Sequence, residues 1–258
     1  PRTKLVKVEA RALRIHPLAQ RQLVPAKLKK IKDSLDLDAI GVLHAVEYPI
    51  DGVKAMWIID GQHRWKAIID HGLGEWEVEV KLHLDAINHA RASELFLKLN
   101  DRSPMSPFAK FSNEFTANHA DAVGVQRIAG DFQLKIASTG NDGYICCVSA
   151  AKKLYQIDAG VTFRKALRTL VAAYGRTAGA VEGKLIEGMG LIYQTYNGSI
   201  DEAALVKKLA KHPGGASGLV GDGKGVREFR KASLSRCIAE VIVSVYNCGR
   251  RTGKRDPL

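Results

Sequence analysis

Trp57-Ile58-Ile59-Asp60-Gly61-Gln62-His63-Arg64-Trp65-Lys66-Ala67 is the stretch on which the reading of this 258-residue chain turns. It reads as an apolar strand, a tight glycine turn and the start of a helix. That shape suits anions. Glycine lets the backbone approach a ligand closely, and a helix N-terminus offers unpaired N–H groups and the positive end of its dipole to a phosphate. Arg64 adds a bidentate donor, and His63 a second donor or a proton carrier. Asp60 stands where it would orient His63 or hold a phosphate-bound metal. Asp60 and His63 are thus the candidate catalytic residues. Gly61, Gln62, His63 and Arg64 are candidates for phosphate binding.

Outward from this segment, about the first 112 residues alternate between strand and helix periods, an α+β pattern. Val6–Ile15 reads as one strand. Pro25 opens a helix with Leu28, Ile31 and Leu35 at helical spacing, and Gly41 ends it. His44–Ile50 and Lys54–Ile59 flank Asp51-Gly52, a hairpin signal. Gln62–Asp70 is a helix stopped by His71-Gly72. Trp76, Val78, Val80, Leu82 and Leu84 alternate as one face of a strand. Asn88–Leu99 is helical, Ser103-Pro104 breaks it, and Ser106-Pro107 caps and opens another helix.

Residues 113–258 read as a second, mainly helical and basic domain. Helices are expected at Ala120–Ala129, Ser149–Ile157, Phe163–Tyr174, Val181–Tyr196 and Ile200–Lys211. A small hairpin is expected in Asp131–Val148 around Asn141-Asp142-Gly143. Pro213–Gly225 reads as a glycine-rich loop. Within it, Gly218–Gly225 nearly spells a P-loop but has Gly225 where the magnesium-binding hydroxyl belongs. A long final helix is expected over Val226–Asn247.

The chain carries 39 Lys and Arg against 27 Asp and Glu, a net charge of +12, with a pI near 9.6. Residues 1–112 hold 18 basic and 14 acidic residues, residues 113–258 hold 21 and 13. This basicity points to DNA as a partner. Arg227, Arg230, Lys231, Arg250, Arg251, Lys254 and Arg255, on the final helix and after it, are the candidate DNA-backbone contacts. No apolar run approaches the roughly 20 residues of a membrane helix, and the start does not read as a secretory signal. Cys146, Cys147, Cys237 and Cys248 form no CxxC pair, and Cys146 and Cys147 read as core residues. A reduced, cytoplasmic setting is expected, without a membrane partner.

Gly61-Gln-His-Arg-Trp-Lys-Ala67 resembles the phosphate-binding box of ParB-type partition proteins, and Asp60–Arg64 is the signature of the DGQHR group. Upstream, Ile15-His-Pro-Leu-Ala-Gln-Arg21 is similar to the ParB opening box, with Gln20 and Arg21 at its Gln/Arg pair. Downstream, Leu95–Pro107 resembles the Asn/Arg box, carried by Asn100 and Arg102, which stand two apart where the ParB box has three. The resemblance covers about residues 8–115. It implies a ParB/sulfiredoxin-like N-terminal domain, a small mixed sheet with helices. It also implies that Gln20, Arg21, Gly61–Arg64, Asn100 and Arg102 cradle a nucleoside triphosphate, CTP or ATP with Mg2+. The function implied is nucleotide-regulated DNA binding by a phage- or plasmid-borne protein, with a homodimer as its assembly. The alternative is an enzyme of the same fold: a nucleotide hydrolase, a small-molecule kinase or a nuclease.

The residues narrow those chemistries. Sulfiredoxin needs a thiolate where this chain has the amide Gln62. The ParB-like serine kinases need an acidic base near the opening box, and no Asp or Glu lies between Arg14 and Leu28. A metal nuclease wants clustered carboxylates, and Asp60 and Asp101 are the evident candidates.

Overall fold

A computed structural model describes residues 2–100, 105–196, 198–256 and 258. The fold is mixed α and β, and the chain divides into two units, Pro1–His119 and Ala120–Leu258. The 112/113 boundary drawn from sequence falls inside a helix, Pro107–Thr116. That helix belongs to the first unit, where its Asn113 side chain donates to the Gln20 carbonyl (3.3 Å).

In the first unit, β1 (Thr3–Glu9), β2 (Leu13–Ile15), β3 (Leu43–Ile50), β4 (Val53–Asp60) and β5 (Glu77–His83) form one mixed sheet, ordered β1-β5-β3-β4-β2. The single strand expected at Val6–Ile15 is two strands on opposite edges, β1 antiparallel to β5 and β2 parallel to β4. A 3-10 turn, Ala10–Ala12, separates them. Its amides are taken by loop carbonyls, Ala10 N–H by Trp76 (2.9 Å) and Arg11 N–H by Gly74 (2.8 Å), so the chain turns away from the sheet with its backbone satisfied. The β3–β4 hairpin turns at Asp51 and Gly52, both at positive φ (49° and 77°), as a two-residue hairpin loop requires.

Alternation along β3 and β4 supplies two cores. Leu43, Ala45 and Ile58 face one side with Val78, Val80 and Leu82 of β5 and Ile68 of α2 (Gln62–Asp70). Val46, Tyr48, Ile50, Trp57 and Ile59 face the other, with Ala92 and Phe96 of α3 (His89–Leu99). Each fully buried large apolar side chain is worth about 1.5–3 kcal/mol, so the paired cores fix β4 from both faces. On β5, Val78, Val80 and Leu82 are covered, and His83 at its end is buried as well. Trp76 and Leu84, expected on the same face, lie beyond its ends and are 45% and 44% exposed. α1 (Pro25–Asp33) buries no residue. α3 and α4 (Pro107–Thr116) are capped by the Asn88 and Ser106 side chains, as expected of these residue types. The break expected at Ser103-Pro104 lies outside the described residues.

The second unit holds α5 (Ala120–Asp131), β6 (Lys135–Ile136), β7 (Tyr144–Ile145), α6 (Val148–Asp158), α7 (Val161–Tyr174), α8 (Gly183–Tyr196), α9 (Glu202–Leu209), α10 (Gly215–Phe229) and α11 (Leu234–Asn247). Three expectations are corrected in this unit. The segment read as a hairpin is a parallel pair, β6 with β7. The Asp142 carboxylate of the intervening loop accepts from Ala178 N–H (2.8 Å), so the loop is held by a later segment and does not fold into a tight two-strand turn. The segment read as a glycine loop is mostly helix α10. One of its glycines, Gly223, serves helix packing. A Cβ at Gly223 would overlap Ile238 Cγ1 and stand 3.1 Å from the Ile238 Cα. Finally, the long helix expected over Val226–Asn247 is broken. α10 ends at Phe229, and α11 starts behind the Ser233 cap, whose side chain accepts from Arg236 N–H. α8 packs in the same way as α10. A Cβ at Gly188 would lie 2.9 Å from the Ser235 carbonyl oxygen, and one at Gly190 would lie 2.6 Å from Leu154 Cδ2.

Candidate functional site

Three sequence stretches converge on one pocket of about 310 Å3 in the first unit. It is lined by Gln20 and Arg21, by Asp60 to Arg64, and by Phe96, Leu99 and Asn100 from the end of α3, with Lys27 and Ile31 of α1. Every phosphate-binding candidate among the described residues is there. Asp101 and Arg102 lie outside the described residues.

β4 aims at this pocket through an irregularity. The β3–β4 register steps from Ala45↔Ile58 to His44↔Asp60, leaving Ile59 without a partner. A bulge of this kind bends the strand end and redirects the chain beyond it. Gly61 then adopts φ 98°, the left-handed region, and caps α2. Glycine is needed there twice. The conformation is costly for other residues, and a Cβ would overlap Leu43 Cδ2 and stand 3.0 Å from Arg64 Nη2. The first intrahelical bond runs from Trp65 N–H to the Gly61 carbonyl (3.0 Å). The amides of Gln62, His63 and Arg64 precede it, in the part of a helix that lacks internal acceptors.

The side chains of the turn have structural duties that the sequence does not disclose. Arg64 donates through Nη1 to the Ile40 carbonyl (2.7 Å) and the Val42 carbonyl (3.3 Å), and its Nη2 lies 3.3 Å from Asp60 Oδ2. It therefore clamps the approach to β3 as well as lining the pocket. Gln62 donates to the Arg21 carbonyl (2.6 Å), and Gln20 donates to the Ile58 carbonyl. Asn100 closes α3 by donating to the Phe96 carbonyl (3.0 Å). The Gln20, Gln62 and Arg64 bonds tie the opening stretch, the turn and the approach to β3 to one another.

His63 is 5% exposed. Its Nε2 accepts the Val24 N–H (2.9 Å) at the start of α1. An accepting Nε2 places the proton of the neutral ring on Nδ1. Burial lowers the His63 pKa, and nearby Lys27 and Arg21 lower it further, against an upward pull from Asp60. The ring is thus neutral at neutral pH, with its proton on Nδ1. This narrows the proton-carrier role expected of it, because protonating Nε2 breaks the Val24 bond. Asp60, the other catalytic candidate, is engaged by Arg64.

Lys27 is the charged pocket residue missed by the sequence reading. It sits in the first turn of α1 and makes no ion pair or hydrogen bond among the described residues. Its proximity to the Asp60 turn depends on the path of the 16–24 segment, which no local pattern reveals. Among the described residues the pocket lining holds Arg21, Lys27 and Arg64 against Asp60, a cationic balance. For a magnesium ion the described lining supplies one carboxylate, Asp60, so phosphate oxygens would provide most of its ligands. Among the described residues no three His, Cys, Asp or Glu side chains come together to hold a metal. The clustered carboxylates of a nuclease are therefore not found there.

Beside the pocket is a histidine cluster that sequence spacing does not suggest. His16 is fully buried, and its Nδ1 accepts the amides of Leu18 (3.1 Å) and Ala19 (2.7 Å). Its Nε2 lies 2.5 Å from Tyr48 Oη, which lies 3.3 Å from His89 Nδ1. With both amides on Nδ1, the His16 proton sits on Nε2 and is donated to Tyr48. Burial, aided by His89, pushes His16 down to about 4.

The candidate DNA contacts occupy the second unit in varied settings. Arg227 lies in the last turn of α10, and Arg230 and Lys231 in the break before α11, so these three do not share the face of one helix. Arg230 pairs with Glu240 (3.2 Å). Arg250 lies over the Tyr246 ring (4.3 Å), and the Arg255 backbone exchanges two hydrogen bonds with Asn247 (2.7 and 2.8 Å). The final segment is thus folded back onto α11. The side chains of Arg227, Lys231, Arg251 and Lys254 are exposed and unpaired among the described residues. Cys146, expected in the core, is exposed, and Cys147 is partly buried. No helix among the described residues is long and apolar enough to cross a membrane. No protein-family model, curated protein or solved structure matches the chain.

Proposed function

We propose that this chain is a ParB-like, DNA-associated protein of the cytoplasm whose first unit binds a nucleoside triphosphate, CTP or ATP with Mg2+, at the Asp60–Arg64 turn. One observation carries the reading. Residues 20–21, 60–64 and 100, the site candidates of three separate stretches, all line one cationic pocket. The α2 amides and Lys27 would take phosphate oxygens. Ile31, Phe96 and Leu99 offer an apolar wall for the rest of the ligand. DNA binding rests on the net charge of +12 and on the exposed cations Arg227, Lys231, Arg251 and Lys254 of the second unit.

Calorimetry with CTP, ATP and the other nucleoside triphosphates in Mg2+ tests the site. Lys27→Ala is the cleanest variant, since the Lys27 side chain has no bond to lose among the described residues. Loss of one charge-assisted contact, about 1.5–3 kcal/mol, is expected to weaken binding by roughly one to two orders of magnitude. The absence of any nucleotide binding at millimolar concentration refutes the reading. Duplex binding, followed by gel shift over a salt series, is expected to weaken steeply with salt, at about 0.9 in log–log slope per phosphate contact. A nucleotide hydrolase is the second reading, and phosphate release during the same titrations tests it.

A further inference from the structure

We infer that α1 is a ligand-responsive cover on the pocket and that His63 is the positioning residue that latches it. This rests on the phosphate-binding reading and adds a moving part to it. Two features of α1 point this way. It buries no residue, so nothing in the core fixes it firmly. Yet it brings Lys27 and Ile31 to the pocket wall, and its first turn is tied to the site by the Val24 N–H to His63 Nε2 bond (2.9 Å).

The His63 ring connects the two sides. It is nine-tenths buried and lines the pocket. Its Nδ1–H has no hydrogen-bond partner among the described residues. The Nδ1–H is not sealed from solvent, so an anionic ligand oxygen entering the pocket takes the place of water as its acceptor. Once Nδ1–H donates to an oxyanion, the ring becomes a better acceptor at Nε2, because linked hydrogen bonds polarise one another. The Val24 bond strengthens. Lys27, one turn along, meets the same anion directly. Ligand and α1 are then coupled through two contacts that exist only when α1 is docked, which is the differential interaction a population shift requires. The charged groups around the ring are Arg21 from the preceding loop, Lys27 from α1 and Asp60 from β4. An anion relieves the two cations and leaves Asp60 to its Arg64 partner.

The test uses the full chain, inorganic pyrophosphate as probe, calorimetry for affinity, and amide hydrogen exchange for α1. Two substitutions separate the two nitrogens. In His63→Gln the side-chain oxygen reaches the Nε2 position and keeps the Val24 bond, but the Nδ1 donor is gone. In His63→Asn the amide keeps a donor near the Nδ1 position, but the latch is gone. In the unaltered protein, pyrophosphate is expected to slow exchange at Val24, Lys27 and Leu28 about tenfold, equivalent to about 1.4 kcal/mol, with the Ile58 and Val80 amides unchanged. His63→Gln is expected to keep slow Val24 exchange without ligand and to bind pyrophosphate about tenfold more weakly. His63→Asn is expected to exchange Val24 fast in both states. Pyrophosphate that binds while leaving α1 exchange unaltered overturns the latch and leaves the phosphate site standing. Equal affinity of His63→Gln and the unaltered protein does the same. A protein that binds no pyrophosphate overturns both.

Discussion

Of the helices that border the pocket, α1 and α2 are attached to the fold in different ways. α2 leaves the end of β4 through Gly61 and buries Gln62, His63, Ala67 and Ile68, with Trp65 donating to the Ala10 carbonyl (2.8 Å). α1 buries no residue fully; it rests on α2, paired to it by Lys32 and Asp70 (3.2 Å), and brings Lys27 and Ile31 to the pocket. One wall is part of the core, and the other rests against it. A site that must admit a polyanion and then surround it needs both, because the fixed wall holds the geometry and the loose wall lets the ligand in.

Core truncation breaks this contrast most directly. Ile68→Ala, at a fully buried position, is expected to cost about 2–5 kcal/mol in chemical denaturation. Ile31→Ala on α1 is expected to cost less than about 1 kcal/mol, since its partly exposed side chain leaves no sealed cavity. Similar losses at the two sites would show that α1 is as firmly packed as α2.

A smaller effect is expected at the junction of α2 with the sheet. Gly61→Ala places a methyl group against Leu43 and forces a left-handed residue, at a cost of about 1–3 kcal/mol. Because the same turn presents the α2 amides, nucleotide affinity is expected to fall with stability. A variant that is destabilised but binds normally would place the ligand away from the turn.

Mild acid gives the smallest and most local effect. The folded-state pKa of His63 is lowered, first by burial and then by Lys27 and Arg21, so the ring contributes stability above its unfolded value near 6.5 and loses it as pH falls. His16 behaves alike but is held down to about 4. Hydrogen exchange followed from about pH 7 to about pH 4 is expected to show α1 losing protection before β4 does. Simultaneous loss would mean that α1 and the sheet open as one unit.

Much of the first unit is legible in the sequence because its signals are local. The Asp51-Gly52 turn, the Gln62–Asp70 helix and the Ser106 cap each depend on a few adjacent residues, and each stands where those residues place it. The pocket residues are legible for the same reason, as short ordered boxes. What escapes is set by contacts distant in sequence. Lys27 reaches the pocket by way of a segment of irregular path. Arg64 reads as a ligand donor, but its guanidinium is spent on the Ile40 and Val42 carbonyls. The glycines of 214–225 read as loop because a lone glycine looks alike in a turn and at a close helix contact. For Gly223 the partner that distinguishes the cases, Ile238, is more than a dozen residues further on.

That close contact has a consequence for how the second unit tolerates change over generations. Where α8 and α10 meet α11, the determinant is a missing methyl group. At Gly188 the obstacle is the Ser235 carbonyl, and at Gly223 it is the β-branched Ile238 side chain with its backbone close behind at 3.1 Å, neither of which swings aside like a long side chain. A saturation library selected for folded protein is expected to leave these two sites nearly invariant, as intolerant as the bulkiest core positions. The exposed cations around them are expected to drift freely unless a partner holds them.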